Sequence, residues 1–215
     1  MAAPVPPVAP LRGGDRPRRL SRAERRTHLL DVAADLIVDG GFEAVTMEGV
    51  AARAGVSKGL GYAYFNNRDE LLAALFDREL GGLDRAVTDA VRAAVRAHAT
   101  FAEQLRASLD ASLDIVAARG TLIGALLAGS RGGSPLEHRR LERQRGVEAF
   151  YVEMVTAEFG VDERTAIAAV GILLGGFNGA IDLWARQRAS RRRLTETYVA
   201  LATGGLAHLR EQRQG

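Results

Sequence analysis

From Ser21 onward, apolar residues recur at helical spacing, and no stretch settles into sustained period-two alternation. That pattern predicts an all-α protein. In a first helix over 21–39, Leu29, Leu30, Ala33, Leu36 and Ile37 fall on one face, and Gly40–Gly41 end it. Phe42 and Val45 supply apolar anchors. Thr46 and Ser57 suit the N-caps of two short helices, 47–54 and 58–65. Asn66–Asn67 break the chain again. Asp69 and Glu70 sit where acids favour the dipole of the next helix, whose apolar face is Leu71, Leu72, Leu75 and Phe76. Gly81–Gly82 predict a joint. Beyond it the pattern predicts helices over 83–98, 101–118, 121–130, 136–159, 162–189 and 191–211, with a loop at 131–135 and caps at Asp162 and Ser190.

The short pair at 46–65, TMEGVAARAGVSKGLGYAYF, carries most of the functional information. Two short helices can cross closely only where the first is small, and Ala51 meets that condition. The turn between them needs a residue tolerant of positive φ, which Gly55 supplies. Val50, Ala54, Val56 and Tyr64 then fall toward a three-helix core. The second helix is left with its N-terminal residues pointing outward, where a helix-turn-helix meets the duplex. Lys58, the only lysine in the chain, stands at that tip.

Charge narrows this picture. The 215-residue chain has net charge +3, but residues 21–80 hold seven basic and ten acidic side chains, a local charge of −3. DNA affinity must therefore come from a few placed cations and helix ends. Arg12, Arg16, Arg18 and Arg19 lie in a Pro- and Arg-rich arm, 1–20, expected to be disordered. The arm either reaches DNA or is a solvated tail. Arg22, Arg25 and Arg26, at the start of the first helix, are better anchored. Without cysteine there is no disulfide framework and no thiolate metal site. The four histidines lack metal spacing with nearby acids, and GILLGGFNGA lacks the lysine and hydroxyl of a phosphate loop. No cofactor or metal is expected. HRRLERQR, 138–145, reads as a solvated helix face. The longest run of apolar residues and glycine, 166–177, has twelve residues. A membrane span needs about 18–20, so this run predicts a buried helix in a cytoplasmic protein with no membrane partner.

The pattern GF…T…VA..AGVS.G, the aromatic run Tyr62/Tyr64/Phe65 and the DEL opening of the following helix resemble the N-terminal domain of TetR-family transcriptional regulators over 24–76. The resemblance implies a homodimer with a helix-turn-helix head (21–67) and a larger helical ligand-binding and dimerisation domain (68–215). It places Thr46, Ser57, Lys58, Gly59, Leu60, Tyr62, Ala63, Tyr64 and Arg68 where family members meet a double-stranded DNA operator. Thr46 and Ser57 can hold phosphates. Lys58 can reach guanine or phosphate, and Gly59 permits close approach. Tyr62 can donate to a phosphate while its ring packs inward, and Arg68 can clamp one. Three positions depart from the family pattern. Leu60 replaces a small hydroxyl residue, Gly61 replaces a bulky anchor, and Ala63 replaces a polar or aromatic residue. The recognition helix should be loose and poor in base-reading groups.

After about residue 80 the resemblance fades. Gly171, Gly175 and Gly179 line one face of a long helix, and Leu194, Tyr198, Leu201, Ala202, Leu206 and Leu209 pattern the last one. In the family, these two helices pair with their copies. Leu109, Leu113, Phe150, Met154 and Phe177 are candidate pocket residues. Asn178 and Asp182, polar and four apart, face either a cavity or the dimer interface. Such a pocket suits a small hydrophobic effector. The expected function is a ligand-responsive, non-enzymatic repressor that releases its operator when the effector binds. The alternatives are a helical ligand-binding or scaffold protein with a weakened head, or a transcriptional activator.

Overall fold

The computed structural model describes residues 20–129, 133–186 and 188–214. The arginines of the N-terminal arm lie outside these. The order is α1 (Arg22–Gly40), a 3-10 turn (Phe42–Ala44), α2 (Met47–Arg53), α3 (Lys58–Tyr62), α4 (Arg68–Arg96), α5 (Phe101–Gly129), α6 (Glu137–Phe159), α7 (Glu163–Ala185) and α8 (Arg191–Gln214). No strand occurs among the described residues.

Local signals set many of the ends. A capping box joins Ser21 and Glu24, and Gly41, at φ 80°, closes α1. Asn67 caps α4 by accepting from the Glu70 amide at 2.8 Å, and Asp162 caps α7 through the Thr165 amide at 3.1 Å. Packing overrides the sequence signal elsewhere. The joint expected at Gly81–Gly82 is absent, and α4 runs unbroken through both glycines. Tertiary packing along α5 outweighs the low helix propensity of two glycines. The break expected between 118 and 121 is present: α5 is two helical segments meeting at a kink at Arg119, whose backbone (φ −140°, ψ 15°) is not helical.

Two apolar cores result. The first gathers Leu29, Leu30, Ile37, Val50, Phe65, Leu71, Leu75 and Phe76 with Leu122, Ile123 and Leu126 from the end of α5. The second gathers Phe101 and Leu105 from the start of α5 with Val155, Val170, Val199 and Leu206. α5 therefore enters both, and its bend lies between them. At the junction of α1, α4 and α5, the Glu79 carboxylate is almost wholly buried. Arg78 Nε donates to Glu79 Oε1 at 2.8 Å, Arg119 Nε lies 3.0 Å from Oε2, and Arg78 Nη1 also reaches Asp31 at 2.7 Å. Gly129 closes the far end of α5, so near the Phe42 ring that a Cβ there would come within 2.6 Å of a ring carbon.

Two surface expectations are corrected. HRRLERQR is not merely a solvated face: Arg139 pairs with Asp77, and Arg143 grips Asp84 with two bonds of 2.9 and 2.6 Å, tying α6 to α4. The run 166–177 is not a buried helix either. On α7, Ile167 and Ile172 are 44% and 76% exposed, and beside them Leu201 of α8 is 72% exposed. By length and composition alone, α5 and α7 would each be able to cross a membrane. The sequence pattern measured apolarity correctly, but one chain lacks the surface to cover α7.

Candidate nucleic-acid interface

The edge formed by α2 and α3 is built on its caps. Thr46 Oγ1 accepts from the Gly49 amide at 2.9 Å, and Ser57 Oγ accepts from the Leu60 amide at 3.2 Å. Each hydroxyl keeps its own hydrogen for a further acceptor. Gly55 turns the chain at φ 65°, and the Val56 amide donates to Ala51 O at 3.0 Å. Gly61 is buried over Ala51, with 3.7 Å between an added Cβ and the Ala51 methyl. The recognition helix is shorter than the expected 58–65. It ends at Tyr62, and Ala63 caps it. With Gly59 and Gly61 among five residues, its intrinsic propensity is low.

Of the anticipated contact residues, Thr46, Ser57, Lys58, Gly59, Tyr62 and Ala63 are exposed, and Leu60, Tyr64 and Arg68 are half-buried. Tyr62 does not tuck its ring inward. The residue is 40% exposed, and Lys58 Nζ lies 5.9 Å from the ring centre. Lys58 is also 2.6 Å from Glu48 Oε1. The hydrogen bond between them holds the Glu48 carboxyl below its ordinary range and the Lys58 ammonium above its own. Glu48 escaped the sequence reading because the signal is a contact across the turn, which linear spacing does not display.

Arg68 is engaged within the head. Its Nε donates to Val45 O at 2.7 Å and its Nη2 to Phe42 O at 2.9 Å, with the guanidinium 5.2 Å from the Phe42 ring centre. It fixes the segment that leads into α2. Arg22 and Arg26 lie over the Tyr64 and Phe65 rings at 5.9 and 5.1 Å. Arg53 pairs with Asp39 at 2.6 Å.

In the second domain an apolar cleft lies between α5, α6, α7 and α8. Its walls include Phe101, Leu105, Tyr151, Met154, Leu173 and Tyr198, and its volume is only about 10 Å³. That is about the space of one water. Of the predicted pocket residues, Met154 lines it. Leu109 and Leu113 are wholly buried elsewhere along α5. Phe150 and Phe177 stack edge-on against Tyr151 and Tyr198. Asn178 and Asp182 are exposed, and Asp182 pairs with Arg186 at 2.9 Å. Tyr151 and Ser108 share a hydrogen bond of 2.5 Å, and Tyr198 donates to Leu173 O at 3.2 Å. Burial pushes both phenols above their ordinary range, so they stay neutral hydrogen-bonding groups.

Residues 29–75 match the sequence model of the bacterial regulatory proteins of the tetR family. Over that stretch the chain is similar to the TetR family. The chain is also similar to the HTH-type transcriptional activator FasR of Mycolicibacterium smegmatis, 37% identical over 107 residues, which cover 50% of this chain and 47% of the relative. The HTH-type transcriptional repressor KstR of Mycobacterium tuberculosis is 41% identical over 69 residues, 32% of this chain and 31% of the relative. The chain thus spans less than half the length of these curated relatives. A crystal structure of a TetR-like transcriptional regulator from Rhodococcus sp. RHA1 superposes with TM-score 0.66 at 25% identity, over 88% of this chain and 99% of that one. The named relatives are regulators of transcription. The stretch similar to the TetR family takes in α2, the turn and α3, and stops within α4.

Proposed function

We propose that this chain is a homodimeric transcriptional regulator that grips a near-palindromic operator with α3 and loosens its hold when a small hydrophobic molecule enters the second domain. The observation that carries the proposal is the capped α2–α3 pair, which presents Lys58 and Tyr62 to solvent inside the stretch that matches the family. On this reading Thr46, Ser57 and the amides beside them hold phosphates, as does the Tyr62 hydroxyl. Lys58 reaches a base edge or a phosphate, Gly59 lets the backbone approach, and Leu60 and Tyr64 border the contact. Arg68 acts mainly by positioning the segment before α2. Two copies of α3 would then enter successive major grooves about 34–36 Å apart.

The exposed apolar strip on α7 and α8 supports a dimer. Ile167, Ile172, Leu183 and Leu201 are all exposed, and a Cβ at Gly171, Gly175 or Gly179 would meet nothing within 4 Å. A second copy of the same face would cover this strip by two-fold symmetry. α4 supports regulation. It is a single 29-residue rod from Arg68 beside the head to Arg96 in the second domain, so displacement at one end is carried to the other. The effector's buried part should be apolar, because the cleft walls carry no charge and only tyrosine hydroxyls as polar groups. The chain is read as a repressor. The longer match to a named activator favours activation as the second reading, which a promoter–reporter assay separates by the sign of the response.

Duplexes selected by the full chain from a random library test the core of the proposal. A selected duplex should bind at least about a thousandfold more tightly than scrambled DNA at one salt concentration. Equal affinities would leave the chain a helical ligand-binding or scaffold protein. A Lys58→Ala/Tyr62→Phe double variant should lose DNA binding and keep its dimer; unchanged binding would overturn the contact assignment. Ile172→Glu with Leu201→Glu should give a monomer in sedimentation. A wild-type monomer that binds phosphatidylcholine vesicles would instead assign the strip to a membrane.

A further inference from the structure

We propose that Glu48, on α2, is a specificity-determining residue: it travels with Lys58 to the DNA and accepts a hydrogen bond from a cytosine amine in the major groove. This rests on the proposed reading of the α2–α3 edge as the DNA-facing surface. The Glu48 carboxylate lies 2.6 Å from the Lys58 ammonium, so an acceptor stands beside the donor at the tip of the recognition helix. Both side chains are more than half exposed, so each is accessible to a partner.

The rest of α3 explains why this acceptor matters. Between Lys58 and Tyr62 the helix offers Gly59, Leu60 and Gly61, none with a polar side chain. A lone lysine is a point charge and distinguishes poorly between guanine and phosphate. A lysine donor coupled to a carboxylate acceptor is more selective. Lysine suits guanine O6 and N7, whereas glutamate suits cytosine N4. A carboxylate brought into the groove is repelled by the phosphates unless a base amine satisfies it. Glu48 therefore penalises sequences lacking that amine and favours those that have it. In a head (21–67) with five basic and six acidic side chains, a net charge of −1, this penalty adds to an already weak general attraction for DNA.

The test uses full-length wild type, Glu48→Ala and Glu48→Gln, each selecting from a random duplex library and then titrated with the wild-type selected duplex and a scrambled one. Both substitutions lie on an exposed helix position, and circular dichroism checks that the fold is kept. Wild type should select cytosine at one position in each half-site, and Glu48→Ala should lose that preference. Its discrimination between selected and scrambled duplexes should fall about tenfold. Glu48→Gln, uncharged but still an acceptor, should bind scrambled DNA more tightly and keep part of the cytosine preference. Selected sequences that Glu48→Ala leaves unchanged would overturn the proposal. So would equal gains by Glu48→Ala on both duplexes, since Glu48 would then act only as a repelling charge. A wild type that selects no sequence at all would defeat the DNA reading itself, an outcome distinct from either of these.

Discussion

At the recognition edge, Lys58 and Glu48 pair with side chains 63% and 56% exposed. At the junction of α1, α4 and α5, Glu79 receives Arg78 and Arg119 with its own side chain 4% exposed. The helices differ in the same sense. The edge rests on the five-residue α3, which contains two glycines, and the junction on α4 and α5 at 29 residues each. Exposed pairs contribute little to stability and exchange partners readily. A buried carboxylate cannot lose its partners without a large desolvation penalty. The contrast teaches that this chain concentrates rigidity behind the α2–α3 edge and leaves the edge itself held by exposed pairs that can exchange partners.

The largest expected effect tests the rigid side. Glu79→Ala removes the common acceptor of two guanidinium groups, and Arg78 and Arg119 are 25% and 45% exposed, so both can partly rehydrate. We expect a loss of about 3 kcal/mol, the low end for breaking a buried pair, seen as a lower urea midpoint. Glu48→Ala should leave that midpoint nearly unchanged. If the two variants shift it equally, the contrast between the regions fails.

Arg68 lies between the extremes and sharpens the comparison. Its side chain is 32% exposed, and its two hydrogen bonds end on backbone carbonyls of the segment before α2. Arg68→Met keeps the stem over Phe42 and removes both bonds. After discounting for partial exposure, the expected loss is about 1.5 kcal/mol. Amides around Thr46–Gly49 should exchange faster with deuterium. A variant with unchanged stability and exchange, but weakened DNA binding, would make Arg68 a phosphate clamp instead of a positioning residue.

What the sequence displayed was local. The Thr46 and Ser57 caps, the Gly41 stop and the Gly55 turn each depend on residues a few positions apart, and each stands where the pattern places it. What it hid depends on distant partners. Gly81–Gly82 look like a break until α5 packs alongside α4. The break before Gly120, by contrast, was legible: α5 leaves helical geometry at Arg119, between the segment in the second core and the segment in the first. Helical spacing leaves Asn178 and Asp182 facing either a cavity or the dimer interface, because it cannot tell a cleft from an open face; both are exposed in the single chain. Glu48 meets Lys58 only because the turn folds one helix end onto the other.

The smallest expected effect concerns Gly61, and its sign is the informative part. A bulky side chain would be forced against Ala51, but a methyl at Gly61 would sit 3.7 Å from the Ala51 methyl, an ordinary contact. Gly61→Ala therefore gains helix propensity and restricts the unfolded chain without a clash, for a net stabilisation of about 0.5–1 kcal/mol. A rise in melting temperature, with hydrogen exchange slowed across 57–65, would show that α3 is held short of its attainable stability by its own sequence. A fall would mean that α2 and α3 cannot spread by even a methyl, placing the edge with the rigid junction. If stability rises and the selected duplex also binds more tightly, DNA is ordering α3 as it binds, and the substitution has met part of that ordering cost beforehand.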